Sequence, residues 1–507
     1  MKLWKKIALA VPVLLVVVGG VGYWWLVTRD AREPSLVAFN ENCASCHGTD
    51  LGGGDGGPAL VGVALRHGDD IDTMTGIIAR GLPEADKDGW EDKFSPQLIK
   101  GLALYINERR QAWPRIVDSY AKVPEGSRSI RSQYHEFVLE RVTTLESRPY
   151  GLDVLPNGEI LVSEKERGLS LVGVDGIQGD PIPGQPEVWS TLLEVQGAWL
   201  NLGSALDVEL HPDHSNNGWI YFSHTDRCQW SCGWPIPATM VRVVRGRIVD
   251  GEWSDEELIW SVHADHYTPV PDGVAAGRLA FDGKGHLYIS IGGKNTYSKL
   301  HDLGTPFGKI HRVRENGDVP QDNPFWAPPE ERPEGSIAHT VWSYGHRTGQ
   351  GLDGHPDNGT VWNTEMGPRG GDEINLIQRG ENYGWPLYTN GLDYNGEEVA
   401  IGTDLGLDFA LEDTVLPAVD FTPAPAVSNF TFYSGEAFAN WSGDMLVGSL
   451  KAATLYRVRI ADGVEVEREK LVTDFGRIRD VEVGPDGSVY LAIEHNQNGS
   501  IWRIRPN

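Results

Sequence analysis

The chain has 507 residues, 40% of them hydrophobic, and a formal net charge of −27. That length exceeds one ordinary domain, and the apolar fraction is ample for packed cores. The acidic balance argues against nucleic acid as a partner, because phosphate contacts need clustered Lys and Arg, while 61 glycines and 18 tryptophans suit a turn-rich all-β body.

The N-terminus, Met1-Lys-Leu-Trp-Lys-Lys6, precedes an uncharged run of 21 residues from Ile7 to Val27. A helix of that length spans the hydrocarbon core of a bilayer. Lys2, Lys5 and Lys6 before the run, and Tyr23, Trp24 and Trp25 near its end, place the N-terminus in the cytoplasm. A cleaved signal peptide would have a shorter apolar region and a small-residue cleavage site. Residues 1–30 therefore read as one transmembrane helix, a single-pass inner-membrane anchor, with everything after Arg29 in the periplasm.

Residues 34–112 begin with Phe39-Asn-Glu-Asn-Cys43-Ala-Ser-Cys46-His47-Gly. In a C-x-x-C-H stretch, Cys43 and Cys46 offer thiols to the haem vinyls and His47 an imidazole to the iron. With Gly57-Pro58-Ala59-Leu60 after it and a closing amphipathic helix from Ser95 to Ile106, the segment resembles a class I cytochrome c, implying an all-α domain with haem c. Members of that family carry the sixth iron ligand on a methionine in an M-P-x-W/F loop. The corresponding loop runs Pro83-Glu-Ala-Asp86-Lys87-Asp88-Gly89-Trp90 and has Lys87 at the methionine position. Lys87, His67 and an open coordination position remain as alternatives, Met74 being read as core. The second cysteine pair, Cys228 and Cys232, reads as a short-loop disulfide, with a metal site including His224 as the weaker alternative.

Residues 113–136, with Pro114 and Pro124, read as a linker. Beyond them a Gly-containing turn followed by a β-rich run recurs six times: at Pro156-Asn-Gly158, Asn216-Asn-Gly218, Asp282-Gly-Lys-Gly285, Asp357-Asn-Gly359, Ser442-Gly443 and Asp486-Gly487. Six such units predict a six-bladed β-propeller over residues 137–507, with Tyr134–Val142 closing the ring against the last blade.

Ser343-Tyr-Gly-His-Arg347, Gly367-Pro-Arg-Gly-Gly-Asp372-Glu373 and Asn382-Tyr383-Gly-Trp-Pro386 resemble the signature blocks of soluble glucose and aldose sugar dehydrogenases that depend on pyrroloquinoline quinone (PQQ). Gly448-Ser-Leu-Lys451 and Gly476-Arg477-Ile-Arg479-Asp480 extend the resemblance across roughly residues 137–505. It implies that Arg347, Lys451, Arg477 and Arg479 hold the three carboxylates and the quinone of PQQ, with guanidiniums clamping carboxylates bidentately. It also implies a Ca²⁺ on the main-chain carbonyls of Gly367 and Pro368, and a second on Glu373 and the Tyr383 carbonyl.

The sequence departs from that family where its proton-abstracting histidine and a glutamine should stand: these positions hold Val274 and Leu202, and Phe421 replaces the usual tryptophan wall. Arg347 and His266, with His263 beside it, remain as candidate catalytic groups. Two functions follow. One is an oxidoreductase that oxidises a small-molecule sugar or alcohol and passes electrons to its own haem c, then to a respiratory acceptor, a cytochrome or the quinone pool. The other is a haem c electron-transfer protein whose propeller is a non-catalytic or redirected binding module. The haem favours the first, since a pure binding module has no use for one.

Overall fold

The structure, a computed structural model, describes residues 34–82, 87–113, 116–190, 192–195, 198–201, 203–228, 238–268, 276–293, 296–394 and 396–507. It divides into two compact units. One runs through Ala112 and takes in Pro368–Gly370 and Gly391–Val399; the other holds the rest.

The first unit opens with helix α1, Pro34–Asn42, and the single turn α2, Ala44–His47. Helix α3, Ile71–Arg80, starts where the Asp70 side chain accepts the Thr73 N–H at 2.8 Å. Helix α4, Pro96–Arg110, starts where Ser95 Oγ accepts the Leu98 N–H at 3.2 Å, with Pro96 in the first turn. Phe39, Leu51, Met74, Leu102, Ala103 and Tyr105 form the core between them.

Two expectations are corrected in this unit. It is not all-α, because Gly81–Leu82 pairs antiparallel with Lys87–Asp88. The cause is local: Gly81, at φ 77°, ends α3, and Pro83 disfavours helical backbone at Leu82, so the chain leaves the helix extended. The transmembrane helix is not found either: no helix among the described residues is long and apolar enough to cross a membrane. The longest, α4, has 15 residues and carries Lys100, Glu108, Arg109 and Arg110; it spans about 22 Å against a hydrocarbon core of about 30 Å. The run Ile7–Val27 lies outside the described residues, and the single-pass inner-membrane placement built on it has no support in the structure.

The second unit is a six-bladed β-propeller. Its innermost strands are Pro149–Val154, Ala205–Leu210, Leu279–Phe281, Gly349–Gly354, Val427–Phe432 and Arg477–Val483, and each touches the next in a closed cycle. Each of the six Gly turns joins the innermost strand of one blade to its second strand, and Gly158, Gly218, Gly285, Gly359, Gly443 and Gly487 all adopt φ between 67° and 89°. That left-handed backbone strains any residue with a Cβ, so one residue type marks every blade.

Strand Glu136–Leu145 pairs with the C-terminal strand Gly499–Pro506, so the last blade is built from both ends of the propeller sequence. Side chains on the inner strands then tie blade to blade. The carboxylates of Asp480, Asp153, Asp207 and Asp353 accept the N–H groups of Leu152, Leu210, Leu279 and Phe432 on the following blade, at 2.7–2.9 Å. The Ser223 hydroxyl donates to the Gly277 carbonyl at 2.6 Å.

Candidate cofactor sites

The Cys43 N–H bonds the Phe39 carbonyl at 2.8 Å, and the His47 N–H bonds the Cys43 carbonyl at 3.0 Å. This helical turn puts residues three apart, here Cys43 and Cys46, on one face. His47 is buried, with Nδ1 2.8 Å from the Pro58 carbonyl. A carbonyl can only accept, so Nδ1 carries the hydrogen and Nε2 keeps its lone pair for a metal. Side chains are absent where a macrocycle would need room: a Cβ on Gly56 would meet Cys46 Sγ at 2.9 Å, and one on Gly57 would meet the His47 ring at 3.1 Å. The residues present therefore fit a covalently attached haem. The Lys87 side chain lies outside the described residues; Met74 is buried in the core, and His67 is exposed.

In the propeller, a basic cluster surrounds one fully buried carboxylate, Glu494, at the end of the strand Val489–Glu494. Arg479 Nη2 lies at 2.6 Å, Lys165 Nζ at 2.7 Å, Arg477 Nε at 3.5 Å and Arg148 Nη1 at 3.8 Å. Burial alone would raise the Glu494 pKa, but Arg479, Lys165, Arg477 and Arg148 together hold it well below the ordinary carboxylate range. Arg148 also pairs with Glu166 at 2.7 Å. Lys165, Arg477 and Arg479 all lie within 3.5 Å of the one Glu494 carboxylate. Among the described residues, the buried Nε atoms of Arg477 and Arg479 have no hydrogen-bond partner. Unsatisfied cationic donors beside a single carboxylate are what a multiply anionic ligand would complete.

Arg347 is also buried, donating from Nη1 to the Met366 carbonyl at 2.7 Å and lying 5.3 Å from the Trp385 ring. Its backbone N–H bonds the Glu365 carboxylate, whose other oxygen lies 2.9 Å from His346 Nδ1. His346 stacks on Tyr383 at 4.4 Å and reaches Ser343 Oγ at 2.9 Å. The Ser343–Arg347 and Asn382–Pro386 blocks thus meet around Glu365. Burial pushes Asp372 up to about 7, although it accepts the Val427 and Gly367 N–H groups and feels the charges of Arg347 and Lys451. The Lys451 ammonium lies 5.5 Å from the Trp113 ring.

Glu373 stands opposite Glu365 on one neighbouring strand and Asp420 on the other. Burial first, and then the Glu365 charge, push it up to about 8. Three carboxylates in register are unfavourable unless a proton or cation is shared. Even so, no group of three or more His, Cys, Asp and Glu side chains among the described residues is arranged to hold a metal. Pro368 falls in the first unit and Gly367 in the second.

His266 Nε2 is held 2.7 Å from the Gly335 carbonyl, in the turn Ala264–His266. Phe421 is buried against Tyr456 at 5.3 Å. Val274, Leu202 and Cys232 lie outside the described residues, while Cys228 is disulfide-bonded. Sequence reading missed Glu494, Lys165, Arg148 and Glu365. The available signal was a charge closing an apolar run, as in Ile-Leu-Val-Ser-Glu164-Lys165 and Tyr-Leu-Ala-Ile-Glu494.

A haem-binding turn in one unit and a buried basic cluster in a six-bladed propeller define a cytochrome-linked quinoprotein type of oxidoreductase. The family described as glucose/sorbosone dehydrogenase matches residues 146–503, and the chain belongs to that family. Residues 36–106 match the family described as cytochrome c oxidase, cbb3-type, subunit III. The chain is 34% identical to the Synechocystis protein slr1608, over 70% of this chain and 83% of that one. It is 30% identical to the aldose sugar dehydrogenase YliI of Escherichia coli, over 70% of this chain and 86% of the relative. The apo crystal structure of the E. coli soluble aldose sugar dehydrogenase superposes with a TM-score of 0.63 at 30% identity, covering 73% of this chain and 99% of that one.

Proposed function

We propose that the propeller oxidises a sugar or alcohol at a PQQ site and that the electrons pass to the chain's own haem c, and from there to a respiratory acceptor. The observation that carries this reading is the cluster of Lys165, Arg477 and Arg479 around the single buried Glu494, in a family of sugar dehydrogenases and on the same chain as a haem-binding turn. PQQ, when bound, supplies the two-electron acceptor. Arg477 and Arg479 would bind its carboxylates, with Glu494 beside their guanidiniums, and Lys451 and Arg347 would add charge near Asp372. The family resemblance would put a Ca²⁺ on Glu373 and the Tyr383 carbonyl, where a cation would offset the repulsion of Glu373 by Glu365 and Asp420. On the haem side, the Nδ1 bond to the Pro58 carbonyl would leave His47 Nε2 available as an iron ligand.

Substitution of the family's histidine and glutamine by Val274 and Leu202 removes two polar groups. Proton abstraction would then fall to another group, for which His266 is the candidate, while Arg347, always protonated, could only stabilise negative charge; a substrate less polar than free glucose suits these replacements. The test is oxidation of a panel of aldoses and primary alcohols with an artificial one-electron acceptor, with and without PQQ and Ca²⁺. Turnover that requires PQQ supports the reading. Quinone binding without turnover of any substrate favours the redirected binding module.

A further inference from the structure

The segment that reads as a linker is packed onto the basic cluster. Helix α5, Ile116–Tyr120, brings Ser119 Oγ to 2.9 Å from Arg477 Nη1 and the Tyr120 ring to 3.8 Å from the Arg477 guanidinium carbon. Ser119 is fully buried. Upstream, the Trp113 ring lies 5.5 Å from the Lys451 ammonium. Downstream, Lys122 pairs with Asp474, and Pro124 sits where a Cβ on Gly476 would meet its Cγ at 3.2 Å. The segment is thus fastened along the strand that bears Arg477 and Arg479.

We infer that Ser119 and Tyr120 are positioning residues of the anion pocket, holding Arg477 for a carboxylate of the quinone; this rests on the PQQ reading above. The chemistry of the contacts is specific. A hydroxyl and an aromatic face satisfy a guanidinium without neutralising it, whereas an acidic residue there would compete with an anionic ligand. Stacking uses the face of the guanidinium and leaves its in-plane N–H groups for a carboxylate. Glu494 lies 3.5 Å from Nε without accepting a hydrogen bond from it, and Ser119 fixes the guanidinium at Nη1.

The test is equilibrium titration of the full haem-loaded protein with PQQ, followed by tryptophan fluorescence, for wild type, Tyr120→Leu, Tyr120→Phe and Ser119→Ala. Tyr120→Leu keeps apolar bulk without the π face, and its Kd is expected to rise about tenfold. Tyr120→Phe restores the face, with a Kd within about threefold of wild type, and Ser119→Ala lies between them. The melting temperature of the quinone-free protein and the haem spectrum should stay unchanged, separating positioning from folding. An unchanged Kd in both Tyr120→Leu and Ser119→Ala overturns the inference. A lower Kd in either also overturns it, since that would show the segment blocking the pocket. A wild-type protein that binds no PQQ overturns the pocket reading itself.

Discussion

At the scale of single residues, two buried charges carry much of the second unit. Arg278 is fully buried and donates to Asp207 at 2.7 Å, to the carbonyls of Gln350 and Tyr150 at 2.9 and 3.0 Å, and to that of Arg479 at 3.1 Å. It also lies 3.3 Å from Asp480, so one side chain ties its own blade to four others at the centre of the ring. Arg278→Met leaves two buried carboxylates without their cation and should destabilise the propeller by about 3–5 kcal/mol, read from the urea midpoint. Glu494→Gln leaves its cations without their carboxylate and should cost about 3 kcal/mol in the same measurement. Arg479 was named from the sequence, but Arg148, Lys165 and Glu494 were not, because they come together only once the ring has closed. His47 was legible, because its chemistry is written in five consecutive residues.

At the scale of elements, the inner strands combine blade-to-blade hydrogen bonds with accumulated negative charge. Burial raises Asp153 to about 7, Asp207 to about 6 and Asp353 to about 7. Glu209 is pushed well above its ordinary value of 4.5, first by burial and then by the charges of Asp153 and Glu482. For a carboxyl raised in the folded state, the contribution to stability is complete below the unfolded value. It is lost as pH rises through the folded one. Glu209→Gln removes that loss, so it should raise stability at pH 8 and have a much smaller effect at pH 5, measured by thermal melts at both. The strand turns themselves could be read from the sequence, because each needs glycine at positive φ. The hairpin Gly81–Leu82 with Lys87–Asp88 could not, because two-residue strands leave no periodicity to detect.

At the scale of the whole molecule, the two units declare themselves differently. The propeller shows in the sequence as six repeats. Its closure by Glu136–Leu145 against Gly499–Pro506 follows from the N-terminal strand having no blade of its own. A propeller beginning at Glu146 lacks that strand, exposes the edge of the last blade, and should fail to give a cooperative melt. The single-pass anchor read from Ile7–Val27 has no support: that run lies outside the described residues, and no helix among the described residues is long and apolar enough to cross a membrane. On the proposed reading, a quinone pocket and a haem share one chain, where tethering would replace diffusion with a high effective concentration.

The most direct measurement takes the full chain with haem oxidised, oxygen excluded, PQQ and Ca²⁺ supplied and no added acceptor, and follows the visible spectrum of the haem as aldoses and alcohols are added. The expected result is haem reduction that requires both PQQ and one class of substrate, at a rate independent of protein concentration. A haem that stays oxidised while the same mixture reduces an artificial acceptor would contradict the account.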